Sequence, residues 1–285
     1  MDVAAVLERL NADMGTTYVL QGRVAGGENH GATRLIDAVG STFVLKVHDA
    51  QDILPRLHRA QAVTRRLREL ALPVPEYVHI GLVGHTIYWV QTALPGDSAM
   101  KLTVQQLETL LEWNAAQAGQ AISAEQDWSW YVRAVVFEGE SGWAATLRDY
   151  SAGTQALLVR LERLTAGRES ALSRSTDIVH GDLCLGNILG VRGQLSGFVD
   201  WDAAGCGDRA LDLAKPLFDV FENRELCARL ITEIVRISGY DALVVLLIYS
   251  ILAQLDWSIR HHSSEAVTDW LFHAEGICRV LEAGV

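Results

Sequence analysis

The chain has 285 residues, enough for one large domain or two lobes of ordinary size, and 49% of them are hydrophobic. That composition excludes general disorder, and no fixed-period repeat or low-complexity tract is visible. A formal net charge of −11 argues against nucleic acid and anionic membranes as partners and tilts the expected ligand toward cations.

In chain order, residues 2–14 read as a short amphipathic helix. Asp2 and Glu8 stand where a secretory leader would carry basic residues, so no signal peptide is expected. "YVLQGRVA", "GATRLIDAV" and "STFVLKVHD" (residues 18–25, 31–39 and 41–49) read as three strands separated by glycine-containing turns. Ile53, Leu57, Ala60, Val63, Leu67 and Leu70 then recur at helical spacing, which predicts an amphipathic helix over 52–70. "LPVPEYVHIG" and "HTIYWVQTAL" follow as two further strands.

Beyond "LPGDSAM" the pattern turns helical over 103–165 and again over 208–284, with short strands and loops between. The reading is an α+β chain: an antiparallel N-terminal lobe over 1–91, a hinge at 92–97 and a larger helical lobe over 98–285. The most apolar run, "ALVVLLIYSILA" (242–253), falls short of the roughly 20 residues a membrane span needs, so a buried core helix is expected. Cys184, Cys206, Cys227 and Cys278 are scattered without CxxC spacing, which predicts reduced thiols in a cytoplasm and no zinc site. With 21 arginines and only Lys46, Lys101 and Lys215 as lysines, each lysine merits attention.

The chemistry concentrates in "IVHGDLCLGNIL", residues 178–189. Ile178, Val179, Leu183, Leu185, Ile188 and Leu189 suit a core, so the polar residues among them need a reason to be there. Asp182, in a tight turn after an apolar strand, suits a base that accepts a proton from a substrate hydroxyl. Asn187 offers a carbonyl oxygen to a hard cation. Asp200 ends the next apolar strand, in "GFVDWD", with a carboxylate suited to Mg²⁺. A base and two metal ligands are the parts that phosphoryl transfer from a metal-bound nucleotide requires. The pattern HxDLxxxN followed by a strand-terminal Asp matches the protein-kinase catalytic loop, with Gly181 in place of Arg and Trp201-Asp202 in place of Phe-Gly. An ordinary-turn reading of Asp182 and Asn187 competes with this one.

"VHGDLCLGNIL", "GFVDWDAAGCGDRALDLA" and "LPVPEYV", in this order and spacing, resemble the aminoglycoside phosphotransferase and choline kinase-like small-molecule kinases. The resemblance covers about residues 20–215. It implies a two-lobed protein-kinase-like fold with ATP or GTP between the lobes, Asp182 as catalytic base, His180 bracing its loop, and Mg²⁺ on Asn187 and Asp200. Lys46 matches the strand lysine that reaches the nucleotide phosphates. "AGGENHG" matches the phosphate-covering turn, with Gly26, Gly27, Asn29 and Gly31. Thr92 and Leu94 in "VQTALPG" match a hinge whose backbone hydrogen-bonds the base, and Asp208 and Asp212 match loop-organising positions.

One departure is Gln61, which stands where many relatives place a glutamate that pairs the strand lysine; as an amide it can still accept a hydrogen bond from Lys46. Asp202, Glu138, Glu140, Asp256, Glu265 and Asp269 are candidates for holding a cationic substrate, with Asp202, Asp256 and Asp269 preferred. Trp128 and Trp130 read as core aromatics or as a stacking platform. The implied activity is transfer of the γ-phosphoryl to a hydroxyl of a cationic antibiotic, an aminoglycoside or a viomycin- or capreomycin-type peptide, by a monomer or homodimer. The alternatives are a kinase of choline, homoserine or a sugar, and a catalytically silent nucleotide-binding regulator.

Overall fold

The structure is a computed structural model and describes residues 3–24, 32–49, 51–99, 101–174 and 176–284. Helix α1 (Val3–Met14) turns Val6, Leu7 and Leu10 inward at helical spacing. Strands β1 (Val19–Arg23), β2 (Thr33–Ile36) and β3 (Thr42–His48) follow, then helix α2 (Leu54–Glu69) and strands β4 (Tyr77–Val83) and β5 (Thr86–Thr92). Pro55 sits in the first turn of α2, where its missing N–H leaves nothing unpaired. The five strands form one antiparallel sheet in the order β1-β2-β3-β5-β4. Leu35, Leu45, Tyr88 and Val90 of that sheet share a core with Val6, Leu7 and Leu10 of α1.

A two-residue strand, β6 (Asp97–Ser98), comes next. Helices α3 (Val104–Ala116), α4 (Trp128–Arg133), α5 (Trp143–Tyr150) and α6 (Ala152–Thr165) lead to strands β7 (Asp177–Val179), β8 (Ile188–Val191), β9 (Gln194–Phe198) and β10 (Gly205–Gly207). The chain closes with α7 (Leu211–Asp219), α8 (Arg224–Ser238), α9 (Tyr240–His261) and α10 (Ser264–Ala283). Helix α9 is long and apolar enough to cross a membrane, but 78% of that apolar window is buried within the protein, so it acts as a core helix. The four cysteines are free thiols.

The chain groups into two compact units, and the grouping differs from a division at 97/98. Leu185–Ala204 belongs with the first hundred residues; the second unit comprises 101–184 and 205–285. The reason is backbone pairing. In the first unit β8 pairs with both β6 and β9, the Ala99 N–H donates to the Ile188 carbonyl at 2.7 Å, and the Phe198 N–H donates to the Pro73 carbonyl at 3.1 Å. The segment 97–99, where the expected hinge ends, is thus paired through its backbone with β8. Gly96 permits the approach: its φ is +106°, and a side chain there would collide with the Gly190 carbonyl. In the second unit β7 pairs with β10, which brings the start of "HGDLC" beside "DRALD".

Candidate active site

Lys46 lies on β3 opposite Trp89 of β5, is 8% exposed, and holds its ammonium 5.7 Å from the centre of the Trp89 ring. An isolated ammonium buried to this degree would be untenable. Its Nζ donates to Asp200 Oδ1 at 2.8 Å and faces Asp202 Oδ2 at 3.7 Å. Burial pulls the Lys46 pKa down, and the two carboxylates outweigh it and leave it raised, so Lys46 is a fixed cation. Asp202 is itself held by Tyr77 of β4, whose phenol donates to Asp202 Oδ1 at 2.7 Å. Burial and the neighbouring Asp202 charge push the Tyr77 pKa well up, which keeps the phenol a donor.

Asn187 and Asp200 flank the β8–β9 hairpin. Arg192 (φ 50°) and Gly193 (φ 82°) make its two-residue turn, with both residues left-handed as a tight hairpin requires. At the open end Ile188 pairs with Phe198, and the Val199 N–H donates to the Asn187 carbonyl at 3.0 Å, so the register brings Asn187 and Asp200 to the same end. Asp200 has φ 66°, ψ 55°, a strained conformation for a non-glycine residue. This end offers the Asn187 amide and the Asp200 carboxylate, with Asp202 Oδ2 buried beside them and without a hydrogen bond. An oxygen-only set with few carboxylates fits Mg²⁺, which completes its shell with phosphate and water. Among the described residues no cluster of three or more His, Cys, Asp or Glu forms an all-protein metal cage.

In the second unit the loop after β7 is built around Asp212 of α7, which is 1% exposed. Its carboxylate accepts the His180 N–H at 2.7 Å, the Gly181 N–H at 3.0 Å and the Gln117 side-chain amide at 3.0 Å. Burial raises the Asp212 pKa, while His180 and these donors pull it the other way. His180 is fully buried, and its Nδ1 accepts the Asp182 N–H at 3.2 Å, so the ring braces the loop from within. Asp208 accepts the Ala210 N–H at the start of α7 and the Ser238 hydroxyl.

Asp182 is displayed outward with a side chain 51% exposed, and its Oδ1 accepts a charge-assisted hydrogen bond from Lys215 Nζ of α7. Burial pulls the Lys215 pKa down and the Asp182 charge outweighs it, so Lys215 stays protonated. Lys215 is a site residue that motif reading missed. Its only signal in sequence is scarcity, as one of three lysines in an arginine-rich chain. Gly181 explains why Gly replaces Arg in this loop: its φ is +82° and a Cβ would fall inside the Trp128 indole. Gly181→Ala should therefore destabilise the protein by about 2–4 kcal/mol, read as a lowered denaturant midpoint.

Several expected residues are placed differently. The Gln61 amide donates to the Tyr77 carbonyl at 2.9 Å and makes no bond to Lys46, which has Asp200 and Asp202 instead. The Thr92 N–H is taken by the Glu76 carbonyl at 2.9 Å, whereas Leu94 has no backbone hydrogen bond among the described residues. Leu94 also lines a cleft of ≈ 330 Å³ with Arg34, Thr42, Ala93, Pro95, Gly96 and Asp97. Asp256 is 6% exposed and bound to Arg260 at 2.9–3.0 Å, so it is not presented to a substrate. Asp202 is likewise committed, to Lys46 and Tyr77. Asp269, Glu138, Glu140 and Glu265 are exposed on the second unit. Trp128 is buried within an edge-to-face cluster with Tyr131 and Tyr249, while Trp130 is 54% exposed. Gly26, Gly27, Asn29 and Gly31 lie outside the described residues.

A family model described as APH, phosphotransferase enzyme family, matches residues 21–242. The fold is that of a thermostable mutant of aminoglycoside phosphotransferase APH(4)-Ia, solved as a ternary complex with AMP-PNP and hygromycin B. The TM-score is 0.74 at 19% identity, over 99% of this chain and 100% of that one. The aminoglycoside-3'-phosphotransferase of type VIII gives a TM-score of 0.56 at 24% identity, over 88% and 98% of the two chains. At such identities the likeness concerns the fold. A probable aminoglycoside 3'-phosphotransferase of Lactococcus lactis subsp. lactis (strain IL1403) is 48% identical over 42 residues, 15% of this chain and 16% of that relative's length.

Proposed function

The chain belongs to the phosphotransferase enzyme family, and from that premise we propose that it is a kinase moving the γ-phosphoryl of ATP or GTP to a hydroxyl of a cationic antibiotic. An aminoglycoside is the favoured acceptor and a viomycin- or capreomycin-type peptide the second. The observation that carries the reading is the division of labour among charges. A buried, doubly paired Lys46 and an oxygen-donor end at Asn187 and Asp200 suit a nucleotide's phosphates. A displayed Asp182 on a braced loop suits a hydroxyl. The net charge of −11 and the names of the structural neighbours favour a cationic acceptor.

Asp182 accepts the acceptor hydroxyl's proton as that hydroxyl oxygen attacks the γ-phosphorus and the bond from the γ-phosphorus to the β-phosphate oxygen breaks, releasing the nucleoside diphosphate. Lys215 donates to one carboxylate oxygen and fixes its direction, leaving the other for the substrate. Lys46 holds the α- and β-phosphates, and the backbone of Leu94 meets the base. Asn187 and Asp200 would hold Mg²⁺, which supplies neutralisation of phosphate charge when bound. Most of the acceleration comes from positioning and charge, since this chemistry asks little covalent work of the protein.

The test is nucleoside-diphosphate release with Mg²⁺ and ATP or GTP across aminoglycosides, tuberactinomycin-type peptides, choline, homoserine and sugars. Stimulation by a cationic antibiotic supports the reading. Stimulation confined to a metabolic alcohol moves the substrate class. In the same assay Lys215→Met is expected to lower kcat about tenfold, the worth of one charge-assisted bond, with the nucleotide KM unchanged.

A further inference from the structure

Helix α2 carries the amide Gln61 where the resemblance implies a carboxylate for the strand lysine, yet Lys46 is paired by Asp200 and Asp202. A chain of contacts within the first unit runs from α2 to the ammonium. Gln61 Nε2 donates to the Tyr77 carbonyl at 2.9 Å, the Tyr77 phenol donates to Asp202 Oδ1 at 2.7 Å, and Asp202 Oδ2 faces Lys46 Nζ at 3.7 Å. Tyr77 is 4% exposed, and Asp202 Oδ2 is buried, faces Lys46 Nζ at 3.7 Å and has no hydrogen bond among the described residues. Arg59, also on α2, donates to the Ala204 carbonyl at 2.6 Å, two residues beyond Asp202, and ties the same helix to the same turn.

We propose that Tyr77 and Asp202, steadied from α2 by Gln61, are the positioning residues that anchor Lys46 for the nucleotide phosphates in place of a helix carboxylate. This rests on the reading of Lys46 as the nucleotide lysine. Asp200 also pairs Lys46, but Asp200 is the residue assigned to the metal. When its charge turns to the metal, Asp202 is the carboxylate that keeps the ammonium paired. Tyr77 prevents Asp202 from swinging out to solvent or into the metal site, because the phenol holds one oxygen and leaves the other for Lys46. Asp202 thereby serves the nucleotide side of the reaction, and its place beside Asp200 does not make it a substrate carboxylate.

The test is calorimetric titration of the full chain with the Mg²⁺ complex of a non-hydrolysable ATP analogue, the condition in which Asp200 faces the metal, combined with steady-state kinetics in Mg²⁺. Tyr77→Phe removes one hydroxyl from a buried ring and should retain the fold, checked by its melting temperature without nucleotide. Nucleotide Kd and KM are expected to rise about tenfold, with the acceptor KM unchanged, a split that loss of packing alone does not give. Gln61→Glu places a carboxylate on α2, yet here it points at the Tyr77 carbonyl and loses a donor; nucleotide affinity is expected to fall. Unchanged nucleotide affinity in Tyr77→Phe, or tighter binding in Gln61→Glu, overturns the anchor while Lys46→Met still weakens nucleotide binding. If Lys46→Met leaves nucleotide affinity intact, the assignment of Lys46 fails and the anchor with it.

Discussion

Asp182→Asn is expected to lower kcat by about 100- to 10,000-fold, the range a positioned general base supplies, while leaving nucleotide affinity within a factor of about two. The expectation follows from how the side chain is held. Its backbone is fixed by the His180 ring and, through His180 and Gly181, by the buried Asp212. None of these contacts involves the Asp182 carboxylate, so the loop survives the substitution. What changes is the proton acceptor, together with the charge that Lys215 faces. An amide of the same shape cannot take the hydroxyl proton. Equal losses in kcat and kcat/KM for the acceptor, in a variant that keeps its cooperative unfolding transition, are the expected signature of an interaction made in the transition state.

Asp200→Asn is the second large effect, expected at about 100-fold or more in kcat, since charge neutralisation at a transferring phosphoryl is worth several kcal/mol. Asn is the informative choice because it tolerates the left-handed backbone at φ 66° better than Ala does. Loss of the carboxylate weakens the metal site and removes one of the two charges that pair Lys46. The variant should therefore need more Mg²⁺ for half-maximal rate and bind nucleotide more weakly in EDTA. Asp182→Asn should show neither change. Measuring both quantities for both variants separates the nucleotide side of the reaction from the acceptor side.

Much of this was legible in the sequence because it is local. The β-like run "STFVLKVHD" placed Lys46 on a strand, and helical spacing from Ile53 to Leu70 predicted α2, whereas the burial of Lys46 beside buried Leu45 follows from its long-range partners. The "HGD" loop, Asn187 and the strand-terminal Asp200 were found by fixed spacing along one short stretch. Long-range pairing was not legible. Gln61 counts to the expected position on α2, but which atom its amide meets depends on how β4 lies beside the helix, and that partner is the Tyr77 carbonyl. Tyr77 reads as an ordinary strand aromatic, and its partner is 125 residues away along the chain. Asp256 looked available as a carboxylate on a helix, and Arg260 one turn on claims it. The grouping of Leu185–Ala204 with the first unit depends on β6, a strand of two residues that no periodicity can announce.

The most direct measurement is mass spectrometry of a panel of aminoglycosides and tuberactinomycin-type peptides after incubation with the protein and MgATP or MgGTP, using Asp182→Asn as the parallel reaction. At least one aminoglycoside or tuberactinomycin-type peptide should gain a single phosphoryl group with the parent protein and remain unmodified with the variant. Unmodified acceptors throughout, in a protein whose melting temperature MgATP still raises, would contradict it and leave a nucleotide-binding protein without transfer activity.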